Sequence, residues 1–202
     1  MTTSTTSRLL SGPAGAVVHT IRSSALGRID FEVLDPVAEL DLLHTWVTRP
    51  TSRFWGLGAL THEELRDLYL HVDSLPSHHA FLVRRDGLPI VLLQTYEPES
   101  DPVGEVYDAR PGDAGVHLLI GDRGAPVPGF STHVADLVAG FVFAHPAVDR
   151  LVIEPDVGNE RAVARAVKSG FELGPRVQLP DKTGQLAFLT RERWERIQTE
   201  RG

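Results

Sequence analysis

The sequence predicts an α/β (α+β) fold: a central mixed, mostly antiparallel sheet with helices on both faces. Three observations predict it. Short strand patterns and helical patterns are mixed along the chain, with a long central run of strands. The run Pro89-Ile-Val-Leu-Leu-Gln94 is continuously apolar, as a strand covered on both faces requires. The stretch Gly112 to Gly170 reads as strand, loop, helix, strand and second helix, and it holds most of the candidate chemistry.

Composition bounds the function. The chain has 202 residues, enough for one domain with a real core, expected over residues 16–202 behind a flexible Ser/Thr/Gly-rich tail of residues 1–15. A net charge of −7 and a pI near 5.7 argue against nucleic-acid binding. The absence of cysteine excludes disulfides, thiolate catalysis and cysteine-ligated metals. No apolar run approaches ~18 residues, so no transmembrane helix or membrane partner is expected. Met1-Thr-Thr-Ser-Thr-Thr-Ser lacks a signal-peptide pattern, which makes the cytoplasm the expected location.

Taken in order, Val17–Arg22 and Arg28–Leu34 alternate loosely and read as strands. Asp35-Pro36 starts a helix that carries Val37, Leu40, Leu43 and Val47 and stops before Pro50. Arg53-Phe54-Trp55-Gly places an aromatic pair between glycines, either a turn anchored by its rings or the wall of a substrate pocket. Thr61-His-Glu-Glu64 is a capping box for a helix to about Ser74. His78 and His79 are adjacent on a strand and point to opposite faces, so no joint metal site is expected. Asp86-Gly87 supplies a tight hairpin turn before Leu88–Tyr96. The long acidic loop from Glu97 to Asp113 contains Tyr107 and Asp108 and reads as functional or mobile. After the core stretch come strands at 171–179 and 185–190 and a charged helix or tail.

Within that core stretch, His117 stands alone in an apolar strand, Val116-His-Leu-Leu-Ile120. Asp156 ends the second strand, where it can face a ligand cleft or cap the following helix, as can Asn159. The loop from Arg123 loses two N–H donors to Pro126 and Pro128. Gly129, Phe130, Ser131 and Thr132 remain to offer backbone N–H groups to an anion at the next helix start. Arg161, Arg165 and Lys168 form one cationic stripe, either a phosphate contact or a solvated face.

The pieces Arg53-Phe-Trp55-Gly, Val106-Tyr-Asp108, Asp113-Ala-Gly-Val-His117-Leu-Leu-Ile-Gly121, Arg150-Leu-Val-Ile-Glu154-Pro-Asp156, Asn159-Glu-Arg161, Gly170-Phe171 and Leu179-Pro-Asp-Lys182 occur together in this order. In order and spacing the chain resembles the GNAT-fold acyltransferases of hydroxamate siderophore biosynthesis. These act on N6-hydroxylysine, on the lysine of mycobactin or in the desferrioxamine pathway. The resemblance runs from about Phe31 to Trp194.

The resemblance implies an acyl-CoA co-substrate, acetyl-CoA or succinyl-CoA, no metal, and a small hydroxylamine or amine acceptor, in a monomer or homodimer. It implies His117 and Asp156 as the catalytic pair. Ile120, Arg123, Gly129, Phe130, Ser131, Thr132, Asn159, Arg161 and Lys168 are expected on the cofactor side, and Arg53, Phe54, Trp55, Tyr107 and Asp108 on the substrate side. The histidine usual before the last strand is Asp181 here, so its role does not carry over. Arginine outnumbers lysine, which stands only at 168 and 182; this fits a GC-rich genome and favours N-hydroxycadaverine as acceptor. Arg53 or Arg110 is a candidate partner for a succinyl carboxylate. Two other readings are an acetyltransferase for a different small amine, such as a polyamine or antibiotic, and a non-catalytic acyl-CoA-binding domain.

Overall fold

The computed structural model describes residues 9–201. Eight strands form one sheet in the order β1-β2-β3-β4-β5-β6-β8-β7. They are β1 (Val17–Ser23), β2 (Gly27–Val33), β3 (His78–Arg85), β4 (Leu88–Tyr96), β5 (Asp113–Ile120), β6 (Arg150–Ile153), β7 (Glu172–Gln178) and β8 (Thr183–Thr190). Every neighbouring pair is antiparallel except β5–β6. The helices are α1 (Leu40–Val47), α2 (His62–Ser74), α3 (Phe130–Phe143), α4 (Glu160–Lys168) and α5 (Arg191–Arg201). The mixed, mostly antiparallel sheet with helices on both faces is the predicted one.

Local chemistry sets most boundaries. Thr61 and Glu64 form the expected capping box of α2. Asp86 and Gly87 both take positive φ, 48° and 85°, and so turn β3 into β4. Two expectations give way. Asp35 does not start α1; its carboxylate accepts from the amides of Val37 and Ala38, making a turn, and the helix begins at Leu40. The expected tail of residues 1–15 lies partly outside the described residues, but Leu9 is buried in the core and Gly15 N–H bonds to Val33 O. Apolar burial holds this stretch against the sheet.

Side-chain alternation gives the sheet two cores. Val91, Leu93, Phe81 and Ala114 pack with α3 on one face. Leu82, Leu92 and Leu119 pack with α1 and α2 on the other. On the first face α5 covers α3, with Trp194 5.4 Å from Phe143. Arg191 donates to the carbonyl of Phe143 at the end of α3 and to those of His145 and Val148 in the turn that follows.

The parallel pair β5–β6 positions everything that follows. Only Asp113↔Arg150, Ala114↔Leu151 and Gly115↔Val152 are in register. Beyond them β5 continues beside β4 as far as Ile120↔Val91. The chain after β6 instead stays with the β8 side, through Gln185 N–H to Pro155 O and Val157 N–H to Thr183 O. The sheet therefore splits. At the end of the ladder away from the split, the Arg150 guanidinium grips the buried Asp113 carboxylate with two 2.7 Å bonds, and Tyr107 OH adds a third at 2.9 Å. Burial pushes the Asp113 carboxyl up, but Arg150, the Arg110 amide and Tyr107 outweigh it and hold it below the usual carboxylate range. Asp113→Ala leaves Arg150 without its partner and should cost about 3–5 kcal/mol of stability, read as a lower urea midpoint.

Candidate active site

Two residues past the last paired positions, His117 on β5 and Glu154 after β6 face each other across the split. In period-2 alternation both share the face of Gly115 and Val152, the side covered by α1 and α2. His117 Nε2 hydrogen-bonds to Glu154 Oε1. Lys182 Nζ donates to the same oxygen at 3.2 Å, and Tyr96 OH donates to Oε2 at 2.9 Å. Glu154 is 3% exposed. Burial pushes its carboxyl up, but the charge and hydrogen bond of His117, the charge of Lys182 and the Tyr96 hydroxyl together bring it down to about 2.

An ionised carboxylate only accepts hydrogen bonds, so the proton of a neutral His117 sits on Nε2. Nδ1 then carries the lone pair, and no protein partner meets it among the described residues. The Tyr96 ring lies 4.9 Å from the imidazole and the Trp55 ring stands edge-on at 6.3 Å.

One glycine within β5 and one just after it make room for the rings of Tyr96 and Trp46. A Cβ on Gly115 would lie 2.1 Å from the Tyr96 ring, and one on Gly121 would lie 2.2 Å from Trp46. Trp46 Nε1 and Arg49 in turn bind Asp122, which ties α1 to the end of β5.

A cleft of about 460 Å³ runs through the split. On the α1/α2 side it is lined by Phe54, Trp55, His78, Gln94, Tyr96 and Asp101, and on the other by Ala135, Val138, Ala162, Arg165 and Ser169. The second side has features that suit a long phosphorylated thioester. Thr95 and Ser169 line the cleft, and their hydroxyls are buried without partners among the described residues. Arg165 makes no ion pair among the described residues. Its burial, together with the nearby charge of Arg123, holds its guanidinium below the ordinary value. A phosphate group relieves both.

The structure places the sequence-predicted residues unevenly. His117, Asp156, Asn159, Phe54 and Trp55 line the cleft. Asp156 does not pair with His117; its Oδ1 accepts from Gly158 N–H at 2.6 Å and shapes the turn against which Phe54 packs. The cap of α4 is Asn159, which accepts from Ala162 N–H. Arg53 stacks over the Phe54 ring at 4.4 Å and is exposed. Tyr107 and Asp108 lie outside the cleft: Tyr107 serves the Asp113 clamp, and Asp108 pairs with Arg110 at the surface. Of the cationic stripe, Arg165 reaches the cleft while Arg161 and Lys168 remain exposed beside it.

Gly129 takes φ 69° before α3, and Phe130 is a buried anchor. The amides of Phe130 and Thr132 bond to Val127 O and Gly129 O, so fewer N–H groups face outward than composition alone implies. Ile120 packs toward the α3 core. Sequence reasoning missed Glu154, Tyr96 and Lys182 as members of the site. The available signal was a glutamate that closes an apolar strand in phase with its inward face, and a glycine, Gly115, opposite a tyrosine.

Residues 35–179 match the model of the Acetyltransferase (GNAT) domain. The chain belongs to this family. GNAT acetyltransferases use acyl-CoA, and the cleft fits that co-substrate. The chain is 26% identical over 186 residues to the N(6)-hydroxylysine O-acetyltransferase of Escherichia coli, covering 89% of this chain and 57% of that protein. It is 29% identical over 159 residues to the N-hydroxyputrescine acetyltransferase of Acinetobacter baumannii, covering 77% and 74%. The chain thus spans little more than half the length of the first of these relatives. Among solved structures, aminoglycoside acetyltransferase AAC(6')-Ib in complex with coenzyme A superposes with a TM-score of 0.71 at 23% identity, covering 84% of this chain and 99% of that one. Among the described residues no helix is long and apolar enough to cross a membrane, and no three His, Cys, Asp or Glu side chains converge as metal ligands.

Because the Glu154 carboxylate lies below its ordinary 4.5, its contribution to stability is complete above about pH 4.5 and is lost as pH falls toward 2. Acid titration of unfolding should show Glu154→Gln less stable than the parent at pH 7, with the difference shrinking between pH 4.5 and 2.

Proposed function

We propose that the protein transfers an acyl group from acyl-CoA to the nitrogen of a hydroxylamine, forming a hydroxamate in siderophore biosynthesis. The observation that carries the reading is the His117–Glu154 pair spanning the split, in a cleft also lined by Phe54 and Trp55, with no protein partner on His117 Nδ1 among the described residues. The names of the relatives from Escherichia coli and Acinetobacter baumannii support a hydroxylated amine as acceptor.

Acyl-CoA supplies the thioester carbon. Arg165, Arg123 and the α3 start hold its phosphates, with Asn159 nearby at the start of α4 and Arg161 and Lys168 adding positive field. Ser169 and Thr95 offer hydroxyls along its arm. The hydroxylamine nitrogen is much less basic than an amine and arrives unprotonated, so the protein positions it and removes one proton as the C–N bond forms. His117 Nδ1 accepts that proton, and Glu154 stabilises the resulting imidazolium; the thioester C–S bond breaks as the C–N bond is completed, and CoA leaves as a thiolate that takes the proton to become the released thiol. Glu154 stays ionised because Lys182 and Tyr96 also bind it. Asp156, at the cleft edge, orients the acceptor.

Acetyl-CoA is the donor in this reading. The one lysine of the acceptor face, Lys182, is engaged by Glu154, and neither Arg53 nor Arg110 lines the cleft to receive a succinyl carboxylate. The acceptor is N-hydroxycadaverine, N-hydroxyputrescine or N6-hydroxylysine.

Thiol release from acetyl-CoA, measured with N-hydroxycadaverine and with cadaverine, tests the proposal. Faster release with the hydroxylamine is expected. Equal or faster release with cadaverine would contradict it in favour of a general amine acetyltransferase. His117→Ala should lower turnover about 10²–10⁴-fold while CoA affinity, read by calorimetry, stays close to the parent's. An unchanged rate would remove His117 as the base.

A further inference from the structure

The cleft contains a second imidazole–carboxylate pair that the transfer chemistry does not use. His78 Nε2 lies 3.4 Å from Asp101 Oδ2, and His78 Nδ1 lies 2.9 Å from Ser77 Oγ. Both side chains are mostly buried, 19% and 23% exposed, and both line the cleft. Two other acids of the 97–113 loop are engaged away from it, Asp113 by Arg150 and Asp108 by Arg110. Asp101 is fixed in place because its Oδ1 accepts from Val103 N–H at 3.0 Å.

The second pair is joined to the dyad by an aromatic wall. The His78 ring stacks on Tyr96 at 5.7 Å and 15°, and the other neighbour of Tyr96 is His117. In the sheet His78 pairs with Tyr96, and Tyr96 with Gly115, so this wall crosses three strands on one face. Strands stand about 4.8 Å apart, which puts His78, two strands over, roughly 10 Å across the sheet from β5. Trp55, Leu68 and Val72 supply apolar lining on the same side.

A single acceptor molecule can therefore reach both places if it has a reactive nitrogen, a short apolar stem and a polar far end. The far end meets the Asp101 carboxylate, whose Oδ2 makes one long contact where an ionised oxygen accepts more, beside the π faces of His78 and Tyr96. Negative charge there would face Asp101 and, beyond it, Glu154.

We propose that Asp101, with His78 and Tyr96 as its wall, is a subsite for a distal ammonium group on the acceptor. This rests on the hydroxylamine reading above and assigns the residues that would recognise the second, cationic nitrogen carried by each of its acceptors. Two sources supply such a group: an N-hydroxylated diamine, or the α-amino group of an ω-N-hydroxy amino acid.

Steady-state thiol release from acetyl-CoA tests it with N-hydroxycadaverine, N6-hydroxylysine and N-pentylhydroxylamine, which has the same chain without the ammonium. The protein should favour N-hydroxycadaverine over N-pentylhydroxylamine by about 10- to 100-fold in kcat/KM, mostly through KM. Asp101→Asn, whose amide oxygen can still cap Val103, should erase that ratio. An equal loss on both acceptors, or a ratio that survives the substitution, overturns the subsite and leaves Asp101 a structural residue. A parallel loss on N6-hydroxylysine assigns the subsite to any distal ammonium; a loss confined to N-hydroxycadaverine assigns it to diamines. If the parent protein acylates none of the three, the reaction itself is overturned; if it acylates all three without discrimination, only the subsite is.

Discussion

The parting of β5 from β6 after three paired residues is the constraint on which the rest of the molecule depends. Parallel strands normally continue their ladder, and each unpaired backbone group inside a protein costs free energy. Here the two strands separate because each has a stronger commitment on its other side, β5 to β4 and the segment after β6 to β8. The Asp113–Arg150 clamp ties the two strands together at the first of the three paired positions, two residues before they part. The opening is thus a product of sheet topology, and its walls are rigid strands. Groups that must meet within a few tenths of an ångström are best held by such elements.

Across that opening the electrostatics are asymmetric. A buried carboxylate is costly alone. Glu154 is tolerated because an imidazole, an ammonium and a phenol each give it a hydrogen bond. Those bonds keep the carboxylate charged, and a charged carboxylate fixes the proton of a neutral His117 on Nε2. On the opposite side of the sheet, Arg165 and Arg123 concentrate positive charge with buried hydroxyls nearby. A cofactor rich in phosphate and an acceptor rich in nitrogen would thus enter from opposite faces.

Much of this was legible in the chain. The apolar run of β4, the Asp86-Gly87 turn and the Thr61–Glu64 capping box each follow from local physics, and the structure keeps them. A lone histidine in an apolar strand is more often a core or surface residue, and His117 stood out only through a second polar residue at the next strand's end and through the resemblance of the whole stretch. Its partner did not stand out. Glu154 and Asp156 are two residues apart and lie on one side of the chain, and only the depth of the split decides that Glu154 is buried against His117 while Asp156 folds into its own turn. Tyr107 misled for a related reason: its loop lies near the cleft, but its hydroxyl is used by Asp113, a long-range partner that sequence spacing does not reveal. The late start of α1 shows the same limit, since Asp35 had two ways to satisfy nearby amides and the tertiary context chose the turn.

The central claim is that His117 and Glu154 act as one catalytic unit across the split, and a double-mutant cycle on thiol release with a hydroxylamine acceptor tests it most directly. His117→Ala, Glu154→Gln and the double variant would be compared at saturating acetyl-CoA. If the two residues are one unit, Glu154→Gln slows the parent substantially, and adding it to His117→Ala changes the rate little further. If instead the two losses multiply, each residue acts on its own, and the dyad is a structural contact rather than the source of the proton transfer.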